Sequence, residues 1–210
     1  AEIGTSQNKG KVTVNVVKGT VNKNINGGSK ESIVYGDIDV KIGKNAVGTQ
    51  SSIGDINILG NIYGSGSSNK ATSTNYDYNY VSVYGNINIS VDGSGYNTLN
   101  MSSIFGAGNA ATYNDTAIIN LSNIGTLDKT QKIVSIQRAT KLNINNSHIE
   151  LQGIKDECNY YKKTNYTLNR IDSLTIYNNT YLYFRRGINL VKEFNSLKGF
   201  DENGNKQLAT

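Results

Sequence analysis

The feature that most constrains the fold is a strict alternation of apolar and polar residues in many short bursts. The clearest bursts are Val12–Val16, Ile38–Ile42, Ile87–Val91, Leu142–Ile144, Ile149–Leu151, Leu174–Ile176 and Leu182–Phe184. Within three residues after each burst stands a Gly, Asn, Asp or Ser, which are residues that tolerate turns. A period of two residues predicts β-strands with one buried face and one polar face.

The bursts belong to a repeat whose strands are constant while its loops vary in length. Three segment pairs match each other: Val34–Ile42 with Val83–Val91, Ile62–Gly66 with Ile104–Gly108, and Leu142–Leu151 with Leu174–Tyr183. The separation along the chain differs from one pair to the next. A constant strand core with variable loops is typical of a solenoid, in which each coil contacts only its neighbours.

The repeat predicts an all-β fold, a right-handed single-stranded parallel β-helix of about seven coils. A β-sandwich meander is the competing fold, but tight Asn-Gly and Asp-Gly hairpin turns are scarce. The pairs Asn145–Asn146 and Asn178–Asn179 instead separate two short strands within one repeat. At such corners, Asn amides of successive coils can hydrogen-bond along the axis.

We expect this domain to cover residues 1–186, with residues 187–210 forming a cap or the lead into a following domain. The chain's one helix-like spacing lies in this last segment, at Leu190, Val191, Phe194 and Leu197, with Gly199 as a possible helix stop.

Composition excludes several functional classes. No run of 18 apolar residues exists, so we expect no membrane insertion. With one His and one Cys among 210 residues, neither a histidine metal site nor a disulfide framework is expected, and no cofactor is predicted. The net charge is +5, and its excess lies after residue 128 in dispersed residues and pairs such as Lys162–Lys163. Clustering of this kind is too weak to indicate nucleic-acid binding.

The patterns Tyr84–Ile89 and Ile62–Gly66, together with the coils that contain Leu142–Ile144 and Leu174–Ile176, resemble pectate-lyase-like β-helix regions of Gram-positive surface adhesins. The likeness covers about residues 10–186 and lies in repeat texture rather than in a diagnostic motif. It implies an extracellular, cell-surface or cell-wall module, expected to be a monomeric part of a longer chain.

Parallel β-helices also include polysaccharide lyases and glycosidases, which need converging carboxylates. Asp37 and Asp39 are the best local pair, and the alternation places both on the outer face. The matching coil carries Asn86 and Asn88, so no acidic row continues along that face. His148 is also placed outward, without a nucleophile-elbow motif in the chain. We therefore expect no catalytic residues and no enzyme activity.

Two tyrosine clusters remain as candidate binding residues. One is Tyr76, Tyr78 and Tyr80, in a Ser-, Thr- and Asn-rich insertion. The other consists of the outward residues Tyr177, Tyr181, Tyr183 and Arg185 in the basic part of the chain. Tyrosine offers a flat apolar face and a hydroxyl, which suit sugars and protein surfaces alike. Alternatively, these tyrosines only pack over neighbouring coils.

The sequence therefore favours a non-enzymatic surface adhesin or stalk module of a Gram-positive bacterium that attaches weakly and multivalently to a host or extracellular glycan or protein. The first alternative is a carbohydrate-active enzyme, a polysaccharide lyase or glycosidase, or a catalytically silent glycan-binding β-helix. A purely structural spacer is the third possibility. An aromatic strip would favour the binder, and converging carboxylates would favour the enzyme.

Overall fold

The structure is a computed structural model that describes residues 3–29, 33–46, 54–66, 82–108, 112–113, 116–153, 168–184, 194–200 and 206–207. Its strands are β1 (Gly10–Val16), β2 (Gly19–Val21), β3 (Ile25–Asn26), β4 (Gly36–Gly43), β5 (Ile56–Ile58), β6 (Ile62–Tyr63), β7 (Ser82–Val83), β8 (Ile87–Asp92), β9 (Leu99–Asn100), β10 (Ile104–Phe105), β11 (Thr112–Tyr113), β12 (Ala117–Ser122), β13 (Gln131–Ile133), β14 (Ile136–Asn145), β15 (His148–Leu151), β16 (Leu168–Tyr177), β17 (Tyr181–Phe184), β18 (Phe194–Phe200) and β19 (Lys206–Gln207). Helix is limited, within these residues, to one 3-10 turn at Lys44–Ala46.

The chain visits three rows of strands in turn. Row one contains β1, β4, β8, β12, the second half of β14, the second half of β16, and β18, hydrogen-bonded in that order. Row two contains the sheets β2-β5-β9 and β13-β15-β17, and row three contains β3, β6, β10 and the first halves of β14 and β16. All these pairings are parallel, and β14 and β16 run through the corner from row three into row one. The sheet is therefore curled.

The register confirms two of the matches read from the sequence in full and the third as far as the Asn178 corner. Ile38 lies opposite Ile87, and Ile62 lies opposite Ile104. Leu142 lies opposite Leu174. Up to that corner, residues that match in the repeat occupy equivalent positions in successive coils.

Alternation along row one creates the apolar core. The six residues expected inside are Ile38, Val40, Ile42, Ile87, Ile89 and Val91, and all are fully buried. The inward residues of successive strands form columns along the stack. The clearest column consists of Val40, Ile89, Ile119 and Leu142, which lie opposite one another in four successive strands. β-Branched side chains suit this pleated surface, because each packs on its counterparts in the neighbouring coils.

A column of glycines marks the corner that follows row three. Gly27, Gly64 and Gly106 occupy equivalent places, and a Cβ atom on any of them would collide with a carbonyl oxygen of the next coil. Arg138 and Arg170 take the equivalent places in the following coils, with φ angles of 53° and 55°. Close backbone approach therefore requires glycine in the first three coils.

The expected asparagine ladder is present at the corner between rows one and two. Asn146 Nδ2 donates to Asn123 Oδ1 at 2.8 Å, and Asn123 Nδ2 donates to Asp92 Oδ1 at 3.0 Å. Asn123, Asn146 and Asn178 all have positive φ angles, of 54°, 44° and 47°. Asparagine tolerates this left-handed conformation better than other side-chain-bearing residues, so it both turns the chain and links the coils.

Two expectations need correction. The helix suggested by Phe194 and Leu197 is wrong where the structure describes the chain, because Phe194–Phe200 is strand β18, parallel to β16. The match between Leu142–Leu151 and Leu174–Tyr183 also does not continue past the Asn178 corner. The repeat aligns His148 with Thr180, but His148 lies opposite Tyr181, since that corner contains one more residue than its counterpart.

The described residues thus form an all-β chain of stacked parallel strands, an arrangement consistent with a β-solenoid. No helix within the described ranges is long and apolar enough to cross a membrane.

Candidate functional site

The most exposed aromatic feature of the described residues is a strip on the outer side of row two, formed by His148, Tyr181 and Tyr183. The His148 and Tyr181 rings stack at 4.7 Å with an interplanar angle of 28°. The Tyr181 and Tyr183 ring centroids are 6.5 Å apart at 16°. Tyr181 is 51% exposed and Tyr183 is 39% exposed. We call these three residues the aromatic strip.

Strand alternation explains why the aromatic strip faces outward. Ile149 and Leu151 of β15 are fully buried, and they lie opposite Leu182 and Phe184 of β17, which pack against the core. The residues between them must therefore project to the other side. The sequence placed Tyr181 outward and Leu182 inward, and the structure agrees.

Tyr177 occupies a different surface. It is 40% exposed at the end of β16 in row one, whereas Tyr181 and Tyr183 belong to row two. Tyr177 lines an open groove of about 400 Å³ with Asn143, Asn145 and other polar residues. Tyr177 therefore lies on the outer surface that adjoins the one with Tyr181 and Tyr183, on the other side of the Asn178 corner. Arg185 of this predicted patch, and the whole of the other predicted cluster, Tyr76, Tyr78 and Tyr80, lie outside the described residues.

The asparagine groove around Tyr177 is floored by a second amide ladder. Asn143 Nδ2 donates to Asn120 Oδ1, and Asn120 Nδ2 donates to Asn88 Oδ1, each at 2.9 Å. These asparagines are the outward residues of β8, β12 and β14. The ladder places a row of hydrogen-bonded amides on the outer face of β8, β12 and β14.

A cleft opens where row two is interrupted. β9 pairs with β5, and β13 pairs with β15, but no strand pairing joins β9 to β13 in the described chain. The cleft, of about 450 Å³, lies between the segments 93–100 and 123–131, and Asn146 and His148 complete its wall. His148 therefore belongs to both the cleft and the aromatic strip.

Hydrogen bonds hold both sides of the cleft in place. The Tyr96 hydroxyl donates to the Val17 carbonyl at 2.7 Å, which ties one side to the first coil. Lys129 Nζ donates to the Asn97 carbonyl at 2.6 Å and bridges the two sides. On the other side, the backbone groups of Thr126 and Lys129 exchange hydrogen bonds of 2.9 and 3.1 Å. The cleft is thus largely preformed.

One carboxylate lies behind the cleft, at Asp92. Burial alone would raise the pKa of Asp92, but hydrogen bonds from the Ser94 hydroxyl, the Asn123 amide and the Ser94 backbone, together with the charge of Lys44, outweigh it and lower that pKa. Burial, helped by the charge of Asp92, raises the pKa of Tyr96. Asp92 is therefore ionised, and its charge is taken up by internal donors.

Among the described residues, none that lines the cleft carries a carboxylate. The polar side chains of the lining are asparagine amides, the Gln131 amide, hydroxyls of serine, threonine and tyrosine, the Lys129 ammonium and the His148 imidazole. His148 Nδ1 is buried without a hydrogen-bond partner. Buried polar atoms of this kind are uncommon, which makes Nδ1 a candidate contact for a bound molecule.

Asp37 and Asp39, the carboxylate pair that the sequence analysis weighed and set aside as catalytic residues, form contacts with other side chains and backbone groups. Asp37 Oδ1 accepts from the Asn86 backbone at 2.8 Å, and Asp39 pairs with Lys11 Nζ at 2.9 Å. The hydrogen bond with Asp39, together with its charge, raises the pKa of Lys11. In the next coil Asn88 takes the place of Asp39. Within the described ranges, no three residues of the types His, Cys, Asp and Glu gather at a possible metal site.

The sequence singled out neither the cleft nor the double role of His148. The Asn146 corner was predicted from the sequence, and the glycines at 93 and 95 are typical turn residues, but the proximity of the two segments depends on coil stacking. The missing β9–β13 pairing carries no local sequence signal. Only the equivalence of corner positions in successive coils could have suggested that these segments meet.

Comparison with known proteins returns no match: no protein-family model, no curated protein and no solved structure matches this chain. The functional assignment therefore rests on the geometry of the aromatic strip, the asparagine groove and the cleft.

Proposed function

We propose that the chain is a module of an extracellular surface protein that attaches weakly to a glycan through row two, without catalysis. In this proposal the fold is a right-handed parallel β-helix and the module is an adhesin or stalk of a Gram-positive cell surface. The three-row chain path supports the fold, and the resemblance in repeat texture motivates the location. A protein surface is the alternative partner, which the experiment below distinguishes.

The observation that carries the proposal is the aromatic strip. Tyr181 and Tyr183 present two nearly parallel, half-exposed rings on a rigid strand. Aromatic rings on rigid elements lose little entropy on binding, and their faces cover the apolar faces of sugar rings. The asparagine groove adds amides, which can donate to and accept from sugar hydroxyls.

Stabilisation of the fold by stacking between coils is the competing explanation for the aromatic strip, because other aromatic pairs also stack between neighbouring coils. Tyr35 and Tyr84 stack at 5.1 Å, and the buried Tyr63 and Phe105 stack at 4.8 Å. If Tyr181 serves only this purpose, the module is a spacer. Tyr84 is 39% exposed and stacked on its neighbour, so the pair Tyr35 and Tyr84 is a matched control.

The test compares two double variants, Tyr181→Ala with Tyr183→Ala, and Tyr35→Ala with Tyr84→Ala. Adhesion to immobilised glycans and to cells, with and without glycosidase treatment, is measured together with the melting temperature. We expect the first variant to lose glycosidase-sensitive adhesion and the second to keep it, at similar losses of stability. Adhesion that survives glycosidase points to a protein partner. Equal adhesion of both variants contradicts the proposed role of the strip.

A further inference from the structure

We propose that the cleft between β9 and β13 binds the carboxylate-bearing sugar residue of an acidic glycan, while the aromatic strip holds a neighbouring sugar. This inference rests on the glycan binding proposed above and adds the chemical class and the second half of the site. Four features of the cleft support it: the break in row two, the walls fixed by hydrogen bonds, the charge of the lining, and His148, which the cleft shares with the aromatic strip.

The break in row two supplies a concave site of suitable size. Elsewhere in row two the strands are paired in register, so their outer surfaces are closed. Between β9 and β13 that closure is missing, and about 450 Å³ of space opens. Small-molecule sites have volumes of roughly 300–1,000 Å³, so the cleft has room for a sugar residue.

The walls of the cleft need little ordering on binding. The bonds from Tyr96 to Val17 and from Lys129 to Asn97 fix the two segments relative to the coils and to each other. Two additional bonds, from Ser94 and Asn123 to Asp92, hold the starts of the two segments together. A preformed site avoids the entropy cost of ordering loops, which matters for a weak ligand.

The charge of the lining selects the ligand class. Lys129 uses one of its three donors on Asn97, which leaves donors for a second acceptor. Neighbouring Asp128 is exposed and does not line the cleft, and the Asp92 carboxylate accepts internal donors. An ammonium group among amides, with no carboxylate on the wall, favours an anionic over a cationic ligand.

His148 connects the cleft to the aromatic strip. One of its faces stacks on Tyr181, while the residue also lines the cleft. Its Nδ1 atom is buried and has no hydrogen-bond partner among the described residues, so it is free to bond with a group from outside the protein. A glycan that places its acidic residue beside Lys129 and its next ring on Tyr181 uses both surfaces. This continuity favours an oligosaccharide over a small free anion.

Calorimetric titration of the whole chain tests the inference with hyaluronan octasaccharide and tetragalacturonate, each beside its carboxyl-reduced form and beside free acetate. We expect at least one acidic oligosaccharide to bind at least about fivefold more tightly than its reduced form, and acetate not to bind. Equal binding of both forms overturns the inference, as does binding of acetate as tightly as the oligosaccharide. Because only the ligand differs in these comparisons, a difference in affinity does not arise from a change in the fold.

Lys129→Gln removes the cleft's ammonium group but keeps an amide donor, and Lys132→Gln is the matched control. Lys132 is exposed on β13 and does not line the cleft. We expect Lys129→Gln to weaken acidic-oligosaccharide binding by about fivefold or more, and Lys132→Gln by less than about twofold. If the two lysine variants weaken binding equally, the assignment of the carboxylate to the cleft is overturned. If the double variant Tyr181→Ala with Tyr183→Ala still loses binding in that case, the proposed glycan binding by the aromatic strip stands. Failure of every oligosaccharide to bind contradicts the proposed glycan function as well.

Discussion

Truncation of two adjacent isoleucines on β12 should have very different effects on stability. Ile119 is fully buried and lies between Ile89 and Leu142 of the neighbouring strands. Ile118 is the next residue along the chain, points to the opposite side and is only partly buried. The same change, Ile→Ala, therefore removes identical atoms from the core in one case and from the surface in the other.

The expected magnitudes follow from packing. Truncation of a buried isoleucine to alanine costs about 2–5 kcal/mol, depending on how far the surroundings collapse. The walls around Ile119 are strands hydrogen-bonded on both sides, so collapse is limited and we expect a loss of about 3–4 kcal/mol. For Ile118→Ala we expect a loss below about 1 kcal/mol, because little apolar area is removed from the interior.

Urea unfolding followed by circular dichroism measures both losses, and thermal unfolding provides a second measure. For a chain of this length each kcal/mol corresponds to about 2–4 °C, so Ile119→Ala should melt about 6–16 °C lower. A larger loss for Ile118→Ala would refute the register, because a slip of one residue exchanges the two faces of every strand.

Two further predictions concern the polar ladders. Asn120→Asp should destabilise the chain by about 1–2 kcal/mol, because it replaces the amide that donates to Asn88 with an acceptor. Asn88→Asp keeps the oxygen that accepts this bond, so it should cost less than about 1 kcal/mol. Equal losses of stability in urea unfolding would contradict the direction of the ladder. Asp92→Asn should be less stable than the original chain above pH 3.8, the ordinary aspartate pKa, and the difference should shrink as the pH falls through the lowered pKa of folded Asp92. A difference that is constant from neutral pH to well below 3.8 would show that the Asp92 charge does not stabilise the fold.

Much of row one could be predicted from the sequence because its determinants are local. Alternation identifies which residues are buried, and equivalent motifs such as Val34–Ile42 and Val83–Val91 give the register directly. The glycine column at Gly64 and Gly106 was visible as part of a repeat, although its cause is contact between backbones of different coils. Because the motif repeats, the pairing of strands that are far apart in the sequence can be predicted by comparing two short segments.

The errors arose where long-range pairing overrode local preference. Phe194 and Leu197 have helical spacing, but the backbone pairs with β16 and places Leu197 opposite Leu174. Strand formation depends on available partners more than helix formation does, so a free strand edge can decide the outcome. The register after the Asn178 corner was mispredicted by one residue for a similar reason, because a local motif does not show how many residues a turn contains.

The candidate site was only partly predictable. Outward placement of Tyr181 and Tyr183 follows from alternation, but the separation of Tyr177 onto another row depends on the corner at Asn178. The cleft depends on a missing pairing between β9 and β13, which the segment 101–130 separates along the chain. Absence of a hydrogen-bond ladder has no sequence motif, so only the folded chain reveals it.

The most direct test of non-enzymatic binding is product release from acidic polysaccharides. The purified chain is incubated with pectin, alginate and glycosaminoglycans, and the reducing ends and unsaturated products are measured over time. We predict no product above the rate of a buffer control, because the described carboxylates Asp37 and Asp39 are held by Asn86 and Lys11. Reproducible product release that disappears when Asp37 and Asp39 are replaced by alanine would contradict the account in favour of a carbohydrate-active enzyme.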